Sequence, residues 1–281
     1  MIRRVGVIAC LAAGLSACGG ASSSGPSGTI AVSGGGAYET IALVSPMANS
    51  TRNIAATVDQ TLDADLAPDG QHIAIAGVKG LWVTNRDGSH ARLIVDEKGL
   101  DVVAGAVAWS PDGRDLAFIR DGSLYTVPSR GGAVTFVTRN ADSPTWSSDG
   151  AEIIFVRNPD QSSRNGTISA IRADGRGLRR LIAGKWFGPA VSPDGSKIAF
   201  YRNGVYGIYV AHATGGMPRL VTRKGFQPKW SPNGRYLAFL RDVNCGEAVC
   251  SSRTFVMPAS GGAARAYGPV IGDMALLSWS R

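Results

Sequence analysis

Four arginines end four closely similar stretches: "LAFIR" at Arg120, "IIFVR" at Arg157, "IAFYR" at Arg202 and "LAFLR" at Arg241. A guanidinium is a permanent cation with a flat fork of donors. A row of them could hold a carboxylate, an acidic peptide or an anionic glycan. Two earlier stretches carry Gly34 and Gly77 at the matching position, so the row is an arc over part of the molecule. A blander role is a loop brace, with each Arg paired to nearby Asp121, Asp160 or Asp242. Trp186 and Phe187 in the loop "KWFG", and Phe226 in the loop "KGFQ", could hold a ligand at a pocket mouth or fill gaps in a core. Asp63, Asp65, Asp142 and Asp273 begin or precede short apolar runs and are placed to line a channel mouth. Converging carboxylates of that kind bind cations or move protons.

Other chemistries lack their residues. There is no Gly-x-Ser-x-Gly elbow for a serine hydrolase. No Gly-rich loop ends in Lys-Ser or Lys-Thr to cradle a phosphate. The three histidines, His72, His90 and His212, are scattered, and no ligand spacing for a metal follows from them. No catalytic residue, metal or cofactor is therefore assigned.

The elements that must position these residues repeat. "APDG", "SPDG", "SSDG", "SPDG" and "SPNG" place Asp69, Asp112, Asp149, Asp194 and Asn233 at intervals of 43, 37, 45 and 39 residues. Pro sets φ for the turn, Asp bonds back to local backbone and Gly takes the positive φ. Each turn is preceded by an apolar strand and followed by a second, such as "LAFIR". A third strand such as "SLYTVP", a Gly-rich hairpin and a fourth strand complete the unit. Four antiparallel strands in about forty residues make a propeller blade. Innermost strands precede the turns at 62–67, 105–110, 143–147, 188–192 and 227–231. A sixth, "MALLSWSR" at 274–281, has no turn after it; its partners are "TIAVSG" (29–34), "TIALVS" (40–45) and "NIAATV" (53–58). The expectation is an all-β, six-bladed β-propeller of four-stranded antiparallel blades, closed by the C-terminal strand joining the N-terminal blade. Trp109, Trp146, Trp230 and Trp279 recur at one position of the inner strand, as blade-to-blade packing requires. The longest connections, 157–166 and 241–253, fall on the same side as the arginines, and variable loops on a rigid scaffold are where function sits.

The first residues read as a targeting signal. "MIRR" is a basic start and "VGVIACLAAGL" a short apolar stretch, giving a leader over 1–17. "LSAC" resembles a lipobox, with Cys18 as the lipidated residue. Residues 18–28, rich in Gly and Ser, are a flexible tether to a domain over 29–281. Export makes Cys245 and Cys250 a candidate local disulfide. The net charge of +8 loses two with Arg3 and Arg4, leaving a mildly basic domain with no nucleic acid to meet outside the cell.

The "WSPDG…LAF…LY…GG" units resemble the repeats of TolB-like propellers over residues 29–281. The resemblance implies a periplasmic propeller that binds protein partners of the cell envelope. Related repeats also form substrate-gating propellers in prolyl-oligopeptidase-like enzymes. The chain differs from TolB proper in lacking a separate N-terminal α/β domain and in carrying a lipid-anchor signal. The expected function is a non-catalytic, monomeric binding module, anchored by lipid to the outer side of the cell membrane. Its partner is an envelope protein or an anionic wall or peptide ligand. The alternatives are a metal-dependent lactonase- or lyase-like enzyme at the central channel, and a regulatory propeller for a separate peptidase or sensor chain.

Overall fold

The computed structural model describes residues 26–34, 40–46, 50–55, 61–77, 79–96, 104–158, 166–202, 207–245, 250–272 and 275–280. The first strands are β1 (Thr29–Gly34), β2 (Thr40–Ser45) and β3 (Ser50–Ala55). One four-stranded sheet follows from β4 (Thr61–Leu66), β5 (His72–Gly77), β6 (Gly80–Asn85) and β7 (Arg92–Asp96). Another comprises β8 (Ala104–Trp109), β9 (Asp115–Arg120), β10 (Ser123–Pro128) and β11 (Thr135–Arg139). Next come β12 (Ala141–Trp146), β13 (Glu152–Arg157), β14 (Gly166–Arg172), β15 (Arg179–Val191), β16 (Lys197–Arg202), β17 (Gly207–His212) and β18 (Arg219–Thr222). The last are β19 (Phe226–Trp230), β20 (Tyr236–Cys245), β21 (Cys250–Pro258), β22 (Arg265–Gly272) and β23 (Ala275–Ser280).

Every pairing is antiparallel, and β23 joins β1, β2 and β3 in the order β23-β1-β2-β3, with Thr29 opposite Ser280. The C-terminal strand thus completes the N-terminal sheet. The innermost strands close a ring: β4 lies against β8, β8 against β12, β12 against β15, β15 against β19, β19 against β23 and β23 against β4. A closed ring of radial sheets leaves the innermost edges short and protected by their neighbours.

Three features differ from expectation. Among the described residues there are four four-stranded sheets and one of seven strands, β12 to β18, in place of six separate blades. The cause is β15, which pairs β14 through Trp186 and earlier residues and β16 from Phe187 onward. "KWFG", expected as a loop, is therefore strand; Gly184 and Gly188, at φ of 143° and 48°, bend it where its partner changes. The third strand begins at Ser50, three residues earlier than expected, with Ser45 opposite Ser50, and residues 56–58 lie outside the described residues. Most of 241–253 is also strand, where β20 and β21 extend as a long hairpin.

The turns follow one design. In "SPDG", Ser110 Oγ donates to Asp112 Oδ1 at 2.7 Å and accepts from Asp115 N at 2.9 Å. The same pair of hydrogen bonds recurs at Ser147, Ser192 and Ser231, the last with Asn233 as the acceptor. The aspartates are anchored inside their own turns, and Ser192 with Ser196 hold the Asp194 carboxyl down to about 2.

The core lies between neighbouring sheets. Phe118, Phe155, Phe200 and Phe239 sit at one position of the second strand and are wholly buried. Each Trp of the inner strand packs towards the preceding sheet. Trp109, Trp146 and Trp230 donate Nε1 to the carbonyls of Asp65, Ala108 and Ala190, at 3.0, 3.2 and 2.9 Å. Trp279 donates instead to Ser27 at 2.9 Å. Gly80 shows how tightly the strands approach: φ is 135°, and an added Cβ would collide with the Val95 carbonyl. Gly80→Ala is expected to cost at least about 2 kcal/mol, read from urea unfolding. A loss under about 0.5 kcal/mol would show that this approach is not required.

Candidate functional site

The wall of the central channel is built from the inner strands. Asp65, Ala108, Thr145, Ala190, Lys229 and Ser278 precede the repeated Trp position, or its Leu and Val equivalents, in the six inner strands. Small side chains thus occupy β8, β12 and β15, and charge is gathered on β4 and β19 with Ser278 on β23 between them. Asp63 and Asp65 use their carboxylates across the sheet boundary. Asp63 Oδ2 accepts from Val107 N at 3.0 Å, and Asp65 Oδ2 from Trp109 N at 2.9 Å. Leu66 N donates to Ser278 Oγ at 2.7 Å, and Ser278 also bonds the Asp65 carboxylate. The acidic pair therefore clamps β4 to β8 and β23.

Protein atoms crowd this pair, and that burial sets its chemistry. Burial lifts Asp63 to about 7, against the opposing pull of Lys229 and of the Val107 N–H. Asp65 is lifted to about 6 for the same reason, opposed by Lys229, by the Trp109 N–H and by Ser278. Asp142, at the start of β12, accepts from Ser143 Oγ at 2.8 Å. Asp273 lies outside the described residues. Among the described residues, no three of His, Cys, Asp and Glu gather around one point where an ion could sit.

Each inner strand has a register shift between its start and its Trp-equivalent end. On three consecutive inner strands this brings Ser143, Gly188 and Gln227 to left-handed φ of 49°, 48° and 50°. Such bulges re-aim neighbouring side chains.

The arginines hold equivalent register on four second strands, ending β9, β13 and β16 and lying within the longer β20: Arg120 opposite Ser123, Arg157 opposite Thr167, Arg202 opposite Gly207 and Arg241 opposite Arg253. Arg120 lies over the Tyr125 ring at 4.3 Å, and Arg241 over Phe255 at 4.5 Å, each ring supplied by the adjacent third strand. Asp242 accepts from Ser252 Oγ at 2.8 Å and does not pair with Arg241. The Nε atoms of Arg157 and Arg241 are buried without a hydrogen bond. Arg202 is exposed, and Asp160 lies outside the described residues. Phe187 stacks on Tyr201 at 5.3 Å, and Phe226 meets the same ring at 6.2 Å, joining two neighbouring sheets beside the arc. Trp186 turns inward: it is 9% exposed, packs on Phe200 and Tyr209, and donates to the Ala183 carbonyl at 2.9 Å.

TolB of Acinetobacter baumannii superposes with a TM-score of 0.74 over 90% of this chain and 67% of its own, at 18% identity. The fold is that of the TolB propeller. A TolB-assigned structure from Agrobacterium tumefaciens gives 0.70 over 88% of this chain and 90% of its own, at 21% identity. In sequence, an uncharacterized protein of Agrobacterium fabrum is 30% identical over 155 residues, 49% of this chain and 50% of the relative. The matched segment is thus half of that protein's length. No protein-family model matches the chain.

Within this TolB-type frame, two channel residues escape a reading of motifs. Lys229 and Ser278 carry no motif of their own. Their signal is positional: each stands where Asp65 stands in its own repeat, one residue before the Trp or Leu.

Proposed function

We propose that the chain is a non-catalytic six-bladed propeller that holds an anionic segment of an envelope protein on its arginine face. The seven-stranded sheet is then two blades that share β15. The observation that carries this reading is the state of Arg241: stacked on Phe255, with its carboxylate neighbour Asp242 engaged elsewhere. A guanidinium held by a ring, and not by an acid, keeps its donors for a ligand. Equivalent register places Arg120, Arg157 and Arg202 on the same side, and the TolB-type fold agrees with a protein-binding role. The leader over 1–17, lipid on Cys18 and the tether over 18–28 would hold a monomeric propeller outside the cell membrane. A disulfide between Cys245 and Cys250 would suit this compartment, and the two residues stand opposite each other in the β20–β21 register.

The purified chain and a variant with all four arginines changed to Gln are incubated with solubilised envelope from the source cell. Retained proteins are identified by mass spectrometry. A protein held by the native chain and lost at least tenfold from the variant supports the reading, provided both melt alike. Equal retention reduces the arc to a loop brace. The enzyme alternative has one observation in its favour, the burial-raised Asp63 carboxyl in the channel, and would gain if divalent metal bound there in titration calorimetry.

A further inference from the structure

On the side opposite the arginines, the inner-strand turns pack into a collar. A Cβ on Gly150 would stand 3.7 Å from Pro111, and one on Gly234 3.8 Å from Pro193; Gly195 is still closer to Ser148. At Gly113 the collar opens: nothing lies within 4 Å of the equivalent point. The gap between the turns at 68–70 and 111–113 leads into a cavity of about 560 Å³. That volume lies within the range of about 300–1,000 Å³ that takes a small ligand.

Its lining is ordered by charge. Buried Ala67, Val83 and Trp109 supply apolar wall, and Pro68 and Pro111 the exposed rim. Asp69 and Asp112 belong to the turns and so lie at the axial end. Arg92 begins the outermost strand β7, and Arg130 lies in the hairpin leading to outermost β11, so both are peripheral. The groups are held in place. Asp69 accepts from Gln71 N and His72 Nδ1, both at 2.7 Å, and Asp112 from Ser110 Oγ. Arg92 spans the cleft, donating to the carbonyls of Ser129 and Arg130 at 3.0 and 2.6 Å. Hydrogen bonds to the ionised form hold both aspartates below the usual carboxylate range, so both stay anionic.

We infer that this cleft binds a short apolar peptide with free termini. The ammonium meets the axial carboxylates, the carboxylate meets the peripheral guanidinia, and apolar side chains cover Val83 and Trp109. The site is independent of the arginine face.

The test titrates the free tripeptide Ala-Leu-Ala, and its N-acetylated and C-amidated forms, into the full chain by calorimetry. Two variants accompany it. Gly113→Asn extends into open space with a residue that tolerates left-handed φ, and Arg130→Gln removes one guanidinium but leaves its carbonyl for Arg92. The free tripeptide is expected to bind, and either blocked terminus or either variant to weaken binding at least tenfold with the melting temperature unchanged. No binding of the free tripeptide at millimolar concentration overturns the inference. So does equal binding by the blocked forms or by the variants.

Discussion

Raising the pH from 5 to 8 is expected to lower the unfolding free energy of the chain by about 2–4 kcal/mol. The cause is the Asp63–Asp65 pair on the channel wall. Burial raises the two carboxyls to about 7 and about 6 in the folded state, from an ordinary 3.8. A carboxyl that binds its proton more tightly when folded stabilises the fold where the proton is bound. That contribution is full below about pH 4 and is lost as the pH rises through 6 and 7. Its sign is opposite to that of the turn aspartates, whose ionised forms are held by Ser hydroxyls and backbone N–H groups and which favour the fold above pH 4. Asp63→Asn keeps an acceptor for Val107 N and removes the titration. Urea unfolding across this range should show a shallower slope for the variant and a gain of about 1–3 kcal/mol at pH 8. A native stability that is flat or rises with pH would show that the pair is hydrated and ordinary.

The second large effect is at Trp230. Its indole is 7% exposed, packs between neighbouring sheets against residues such as Val210, Leu237 and Met257, and donates to the Ala190 carbonyl at 2.9 Å. Trp230→Ala removes a large apolar volume and leaves that carbonyl without its donor. A loss of about 3–5 kcal/mol is expected. Trp230→Phe keeps most of the packing and loses the bond, for about 1–2 kcal/mol. The urea midpoint should fall in that order with an unchanged m-value. A loss under about 1 kcal/mol for the Ala variant would mean that the indole is not a strut between the sheets.

The repeats made much of this fold legible. The "WSPDG" signature located the turns, the Trp position located the faces between sheets, and "LSWSR" without its turn gave the closure through β23. Period and turn chemistry are local, and a sequence displays them directly. What escaped is relational. "GKWFG" carries two glycines and a charge, which suggests a loop. Only the simultaneous demand of Gly166 on one side and Tyr201 on the other keeps β15 extended. The arginine register could be counted from the sequence, but the rings beneath Arg120 and Arg241 come from a neighbouring strand. Lys229 is one charge among many until its repeat is aligned with that of Asp65. The cleft beside Gly113 is a failure of two turns to touch, and no residue type announces such a gap.

The closure has a consequence for synthesis on the ribosome. β1 leaves the exit tunnel long before β23, with β2 following to cover one of its edges. Its other edge belongs to β23, which begins at Ala275. At about 5–20 residues per second, that strand arrives roughly 10–50 s later. For all that interval the nascent chain exposes a strand containing "IAV", ready to pair with any extended segment. β23 therefore acts as the latch that covers this edge of β1.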